Sequence, residues 1–223
     1  MTYSGRKYVN HYDDDEYDFY IIGSDQVFNL ELTQNDINFF LPHIAAEKKA
    51  RYAASIGVSK LSQEQEKIFS TYLCDFIHLS IREKQKIECI SNVLPDKKIL
   101  ENLDPVFLND GDFWREVAAP CMEHQPYILI YCFKNYKKAY SIAKSISEDM
   151  RILYISDALI GKDKNVIPVN GVGPKEFLSL INNAEYVITD SFHGTAFSII
   201  FEKNFTVIPY EKTSSRMINL LDN

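Results

Sequence analysis

Val187-Ile188-Thr189-Asp190-Ser191-Phe192-His193-Gly194-Thr195-Ala196-Phe197-Ser198 is the stretch on which the fold reading turns. A short β-branched run ends in polar residues and a histidine, and a helical pattern follows at once. That order predicts a buried strand over Val187–Thr189, with Asp190, Ser191 and His193 delivered to its C-terminal edge and a helix after His193. In open α/β sheets ligands bind at that edge. Gly194 permits a close approach of backbone or ligand, because it has no Cβ, and the amides that open the next helix can receive an anion. A second junction of this kind, Phe19-Tyr20-Ile21-Ile22-Gly23-Ser24-Asp25-Gln26, lies near the N-terminus. Two such edges in one chain imply a cleft.

Outward from these junctions, strands alternate with helices. Strands are predicted over 20–22, 50–54, 76–80, from 98, and then over 127–132, 151–156, 165–169 and 205–209. Ser62 with Gln65 three residues later forms a capping box for a helix that runs to about residue 75. Other helices are predicted over 83–91, 137–147 and from Pro174 to about Asn183, with proline in the first turn where its missing amide is harmless. Ser214 or Ser215 caps a last helix. This alternation implies βαβ units and mainly parallel sheets. A stretch read as irregular, Asn109 to Gln125, holds Gly111, Trp114 and Pro120 and separates two such series. The expected domains are 1–110 and 111–223.

Bulk composition narrows the function classes. The chain has 223 residues, 46% of them hydrophobic and 25% charged, which is ordinary globular usage. A net charge of −7 argues against general nucleic-acid binding. Cys74, Cys89, Cys121 and Cys132 form no CxxC pair, and each reads as a reduced, packed thiol. His11, His43, His78, His124 and His193 lack metal-ligand spacing, so no metal is expected. The acidic run Asp13–Glu16 reads as a solvated loop. Residues 1–10 are polar, no apolar run would span a bilayer, and a cytoplasmic location is expected. There is no GxGxxG, GK[ST] or GxSxG motif, which leaves dinucleotide, P-loop and α/β-hydrolase readings unsupported.

Single residues leave alternatives open. His193 reads either as a proton-transferring or charge-stabilising group or as a histidine bonded at a strand end for structure. Asp190 could orient His193 or bind a hydroxyl, or else cap the next helix, a task Ser191 or Thr189 could share. Asp25 and Gln26 have the acceptors and donors that vicinal sugar hydroxyls require, or they close an Asx turn. Arg82, where a strand gives way to a helix, suits a carboxylate or phosphate, or is an ordinary exposed arginine.

Six segments in register resemble the polysaccharide pyruvyl transferase family. They are Gly23-Ser24-Asp25-Gln26-Val27-Phe28-Asn29, with Phe28 at a usual tryptophan, and Arg51-Tyr52-Ala53-Ala54-Ser55-Ile56-Gly57. Leu79-Ser80-Ile81-Arg82-Glu83 and Leu103-Asp104-Pro105-Val106-Phe107-Leu108 follow. Gly173-Pro174-Lys175-Glu176-Phe177-Leu178 and Thr189-Asp190-Ser191-Phe192-His193-Gly194-Thr195 complete the set. The resemblance implies a GT-B-like α/β fold of two Rossmann-like domains with parallel sheets, the N-terminal, acceptor-side one incomplete and the C-terminal one on the donor side. It implies transfer of pyruvate from phosphoenolpyruvate to two sugar hydroxyls as a ketal, with release of phosphate, in cell-surface polysaccharide biosynthesis.

The resemblance also implies site residues. Arg82 would contact phosphoenolpyruvate and His193 would meet the phosphate or transfer a proton. Asp190 and Asp25 would serve the acceptor or act as base. Ser24, Gln26, Ser191, Gly194 and Thr195 would line the substrates. No cofactor is expected beyond the donor. The acceptor would be a sugar or lipid-linked oligosaccharide, with peripheral membrane association and a homo-oligomer as further expectations. Characterised members carry Arg-Leu before the histidine, whereas Ser191-Phe192 stand here. Serine cannot act as a guanidinium clamp, so another cation is required, with Lys203 and Arg216 as candidates. Two rival readings are a glycosyltransferase using a nucleotide sugar and a non-catalytic glycan-binding or assembly protein.

Overall fold

The computed structural model describes residues 17–57, 61–155, 166–209 and 214–222. The acidic run Asp13–Glu16 and the side chain of Arg216 lie outside them. The chain divides into two units between Pro105 and Val106, five residues before the expected boundary. The physical reason is packing: Val106 lies against the apolar core of the second unit, and its carbonyl accepts from Trp114 Nε1 at 2.9 Å.

The first unit holds strands β1 (Tyr20–Ile22), β2 (Lys49–Ala54), β3 (His78–Ile81) and β4 (Ile99–Glu101) in a parallel sheet of order β1-β2-β3-β4. Helices α1 (Leu30–Thr33), α2 (Gln63–Tyr72) and α3 (Lys84–Val93) join them. The predicted capping box is present, with Ser62 and Gln65 exchanging side-chain and backbone bonds. The core gathers Phe28, Phe40, Phe69 and Phe76 with Leu79 and Ile81. Into it β2 sends Arg51, whose guanidinium lies 3.7 Å from the Phe28 ring and donates to the Phe39 carbonyl. Burial pulls its pKa well down.

The second unit begins with α4 (Gly111–Val117), a helix within the stretch read as irregular. Asp110 starts it by accepting from Phe113 N at 2.9 Å. Strands β5 (Tyr127–Tyr131), β6 (Arg151–Ile155), β7 (Val166–Val169), β8 (Tyr186–Thr189) and β9 (Asn204–Val207) make a wholly parallel sheet of order β7-β6-β5-β8-β9. Helices α5 (Tyr136–Ile146), α6 (Pro174–Asn182), α7 (Phe192–Ile200) and α8 (Ser214–Leu221) accompany it. Tyr127 and Leu129 face one apolar cluster, Ile128 and Ile130 the other. That alternation explains why β5 reads as a continuous apolar run, since both faces of the sheet are covered. The strand order reverses between β5 and β8, which makes the gap beyond their C-terminal ends the topological switch point of this sheet.

Candidate functional site

At the C-terminal edge of the first sheet the polar residues are largely bonded to one another. Arg82 is buried, and its Nη1 meets Asp104 Oδ2 at 2.6 Å and Ser24 Oγ at 3.4 Å. Ser24 Oγ donates to the same carboxylate oxygen at 2.7 Å. The structure thus brings Ser24 and Arg82 together, each on the carboxylate of Asp104. Asp104 stands at the centre of Leu103-Asp104-Pro105, where no local signal marks the pairing. A buried ion pair of this kind mainly offsets its own desolvation, so the Arg82 charge already has a partner.

Beside this triad Ser55 Oγ donates to the buried carboxylate of Glu83. Ser55 also holds the loop above β1: its amide donates to the Asp25 carbonyl at 3.1 Å, and its carbonyl accepts from Phe28 N at 3.2 Å. Gly57 has φ +72°, and a Cβ there would fall 2.4 Å from Asn29 Nδ2 and 2.7 Å from Gln26 Oε1. Gln26 Oε1 accepts from Asn29 Nδ2 at 3.0 Å. Asp25 Oδ1 accepts from the Gln26 amide at 2.7 Å, yet the residue is exposed.

The second sheet's edge is built differently. Ser191 is the N-cap of α7, accepting from Gly194 N at 3.4 Å, so the helix begins at Phe192 and His193 sits inside its first turn. The helix thus starts two residues before the expected position, because Ser191 rather than a later residue caps it. Asp190 serves neither as cap nor toward His193 in its observed bonds. Its Oδ1 accepts from Phe133 N at 2.7 Å, and its Oδ2 from Lys134 N at 3.0 Å, Asn135 N at 3.1 Å and Asn135 Nδ2 at 3.2 Å. Three consecutive amides of the β5–α5 loop therefore close on one carboxylate, a nest that holds its anion internally.

Thr189 Oγ1 donates to the Tyr131 carbonyl at 2.7 Å and accepts from Ser191 N at 3.0 Å. A Cβ on Gly194 would lie 2.3 Å from that oxygen, so glycine here lets α7 sit directly against β8. Thr195 is fully buried, its hydroxyl turned back to the Ser191 carbonyl at 2.9 Å. From Phe192 to Ser198, His193 alone is exposed. Its ring meets Phe192 edge to face, with centroids 5.4 Å apart.

Tyr131 ends β5 beside this cap: burial raises the pKa of its phenol, the Ser191 side chain opposes the rise, and the Asp190 charge adds to it. Burial, followed by the Asp190 charge, pushes the Cys132 thiol up to about 12. Lys203 lies just before β9, at the opposite edge of the sheet, where Nζ donates to the Asn182 carbonyl at 3.0 Å. A four-residue strand spans roughly 13 Å, which puts Lys203 on the wrong side to replace the missing arginine. The site residues fall into two groups: Ser24, Asp25, Gln26 and Arg82 in the first unit, and Asp190, Ser191, His193, Gly194 and Thr195 in the second.

Comparison with known proteins adds family and fold. Residues 1–212 match the family described as Polysaccharide pyruvyl transferase. No curated protein matches the chain. Among solved structures it is similar to a protein described as a UDP-N-acetylglucosamine 2-epimerase from Listeria monocytogenes, with 12% identity and a TM-score of 0.54. That match covers 92% of this chain and 65% of the other, so the chain spans about two thirds of that protein's length. It is also similar to the UDP-GlcNAc 2-epimerase from Methanocaldococcus jannaschii, at 14% identity, 89% and 72% coverage and a TM-score of 0.49. The Listeria likeness supports a GT-B-like α/β fold. Among the described residues, no helix is long and apolar enough to cross a membrane.

Proposed function

Because the chain belongs to the polysaccharide pyruvyl transferase family, we propose that it transfers pyruvate from phosphoenolpyruvate to two hydroxyls of a sugar or lipid-linked oligosaccharide in the cytoplasm. The observation that carries this reading is His193: an exposed imidazole, in the first turn of an otherwise buried helix segment, beside the topological switch point of the second sheet.

The reaction adds a proton to the methylene carbon of the donor and leaves the adjacent carbon electrophilic. Two sugar hydroxyls form C–O bonds to that carbon and lose their protons, while the bond to phosphate breaks and phosphate leaves. The products are a cyclic ketal and inorganic phosphate. We assign His193 to the departing phosphate, as hydrogen-bond donor or proton carrier, a role suited to an exposed imidazole whose two ring nitrogens can donate and accept. Asp25, exposed above the first sheet, is the carboxylate we assign to the acceptor hydroxyls. Asp190 is assigned to holding the β5–α5 loop, since four donors already occupy its oxygens.

The test is phosphate release from phosphoenolpyruvate by the full chain with a panel of acceptor sugars. His193→Ala should slow release about 10²–10⁴-fold, the usual range for an acid–base group, and leave the fold intact because the side chain is exposed. Equal rates for the variant and the parent would remove His193 from the chemistry. Thermal stabilisation by nucleotide sugars but not by phosphoenolpyruvate would replace this reading with a glycosyltransferase. Glycan binding without turnover would favour a non-catalytic protein.

A further inference from the structure

The donor in the proposed reaction is trianionic, yet the position before Phe192-His193 carries serine, and the Ser191 side chain is engaged as the cap of α7, accepting from Gly194 N. A cation must come from elsewhere on the same sheet edge. Three of the other basic side chains described in the second unit are engaged away from it. Lys203 bonds to the Asn182 carbonyl. Arg115 reaches Asn182 and Asp112. Arg151, at the start of β6, pairs with Glu123.

The loop that follows β5 is different. It opens at the switch point, directly beside the end of β8, where Tyr131 pairs with Thr189. Its amides at 133, 134 and 135 are drawn onto the Asp190 carboxylate at 2.7–3.1 Å. Lys134 is therefore fixed by its own backbone to the residue before Ser191, and its side chain is exposed. The amides are already spoken for by Asp190, so any charge offered to a ligand here must come from side chains.

The helix that follows adds a second argument. Lys137 and Lys138 stand in the first turn of α5, which has no acidic residue. Cations at a helix N-terminus oppose the macrodipole, whereas acidic residues would stabilise it. A sequence that breaks a local rule in this way, at a ligand-binding edge, points to a functional demand. Two lysines in the turn where the helix disfavours them, with Lys134 just ahead of the N-cap Asn135, match a multiply charged anion. Phe133, two-thirds exposed and packed on Tyr131 with centroids 5.1 Å apart, forms the apolar flank.

We infer that Lys134 is the phosphate-binding cation of this site, replacing the guanidinium that Ser191 does not supply, with Lys137 and Lys138 reinforcing the field. This rests on the reading above for the identity of the donor, but not for the presence of a phosphate site.

Calorimetric titration of the full chain with phosphoenolpyruvate, and separately with inorganic phosphate, tests it. Lys134→Met should weaken both by about tenfold or more, since a charge-assisted contact is lost, and should flatten the salt dependence of binding. Lys134→Arg should retain binding, and Lys203→Met should leave it unchanged. If Lys134→Met binds phosphoenolpyruvate as tightly as the parent, the inference fails while the proposed function stands. If the parent binds phosphate through Lys134 but does not bind phosphoenolpyruvate, the inference stands and the donor assignment fails. If the parent binds neither anion, both are overturned.

Discussion

Replacing Asp190 by asparagine tests how the second sheet's edge is held together. The carboxylate receives one donor on Oδ1 and three on Oδ2. An asparagine side chain will keep its carbonyl where three donors converge and turn its NH₂ toward the Phe133 amide. Two donors then face each other where a 2.7 Å bond stood. The orphaned amide costs about 1–3 kcal/mol, and the remaining bonds lose their charge assistance, roughly half their strength. A total near 3 kcal/mol follows, discounted because water reaches the exposed Phe133–Lys134 loop. Urea unfolding can be followed through Trp114, the chain's single tryptophan, which packs on Phe197 with centroids 5.2 Å apart and so reports on the second unit. With a slope of about 2 kcal/mol/M, the midpoint should fall by about 1.5 M. A fall of less than about 0.3 M would refute the clasp and with it the fixed placement of Lys134.

Two further outcomes follow from the burial of charged and ionisable groups. Arg82→Ala should destabilise the first unit by about 3–5 kcal/mol because it leaves the Asp104 charge buried and unpaired, while the double change Arg82→Met with Asp104→Leu should cost much less. Urea melts by far-ultraviolet circular dichroism check this, and equal losses would show that the pair is not coupled. Cys132 should resist alkylation at pH 8 in the native protein while exposed Cys121 reacts. Its folded pKa, near 12, lies above that of an unfolded thiol. The folded state therefore holds the proton more tightly, and the contribution to stability is complete below about pH 8.5 and declines as pH rises toward 12. Thermal melts between pH 7 and 10.5 should show that decline, and a Cys132→Ala variant should show less of it.

The alternation of strands and helices was legible because each element carried its own local signal, as at the Ser62–Gln65 box and the Pro174 first turn. Helix α4 was missed because Gly111 and Pro120 bracket only seven helical residues, too few for a periodic stripe to stand out. The site was legible one strand end at a time. Its pairings were not, because they depend on strand order: nothing local in Phe133-Lys134-Asn135 announces that β5 will lie beside β8, so neither the loop's anchor nor its lysine could be found. Arg82 was visible as a cation at a strand end, but its partner arrives from β4, some twenty residues later, and only the fold joins them. The burial of Arg51 among phenylalanines had no signal at all in a motif that reads as a short strand.

The contact between Gly194 and Thr189 acts as an indexing stop for the helix that carries His193. Each residue advances an α-helix by about 100°, so one residue gained or lost between these two positions would swing the imidazole from open water into the oily side of the molecule. Anyone grafting new chemistry onto the protein should leave that five-residue spacing alone.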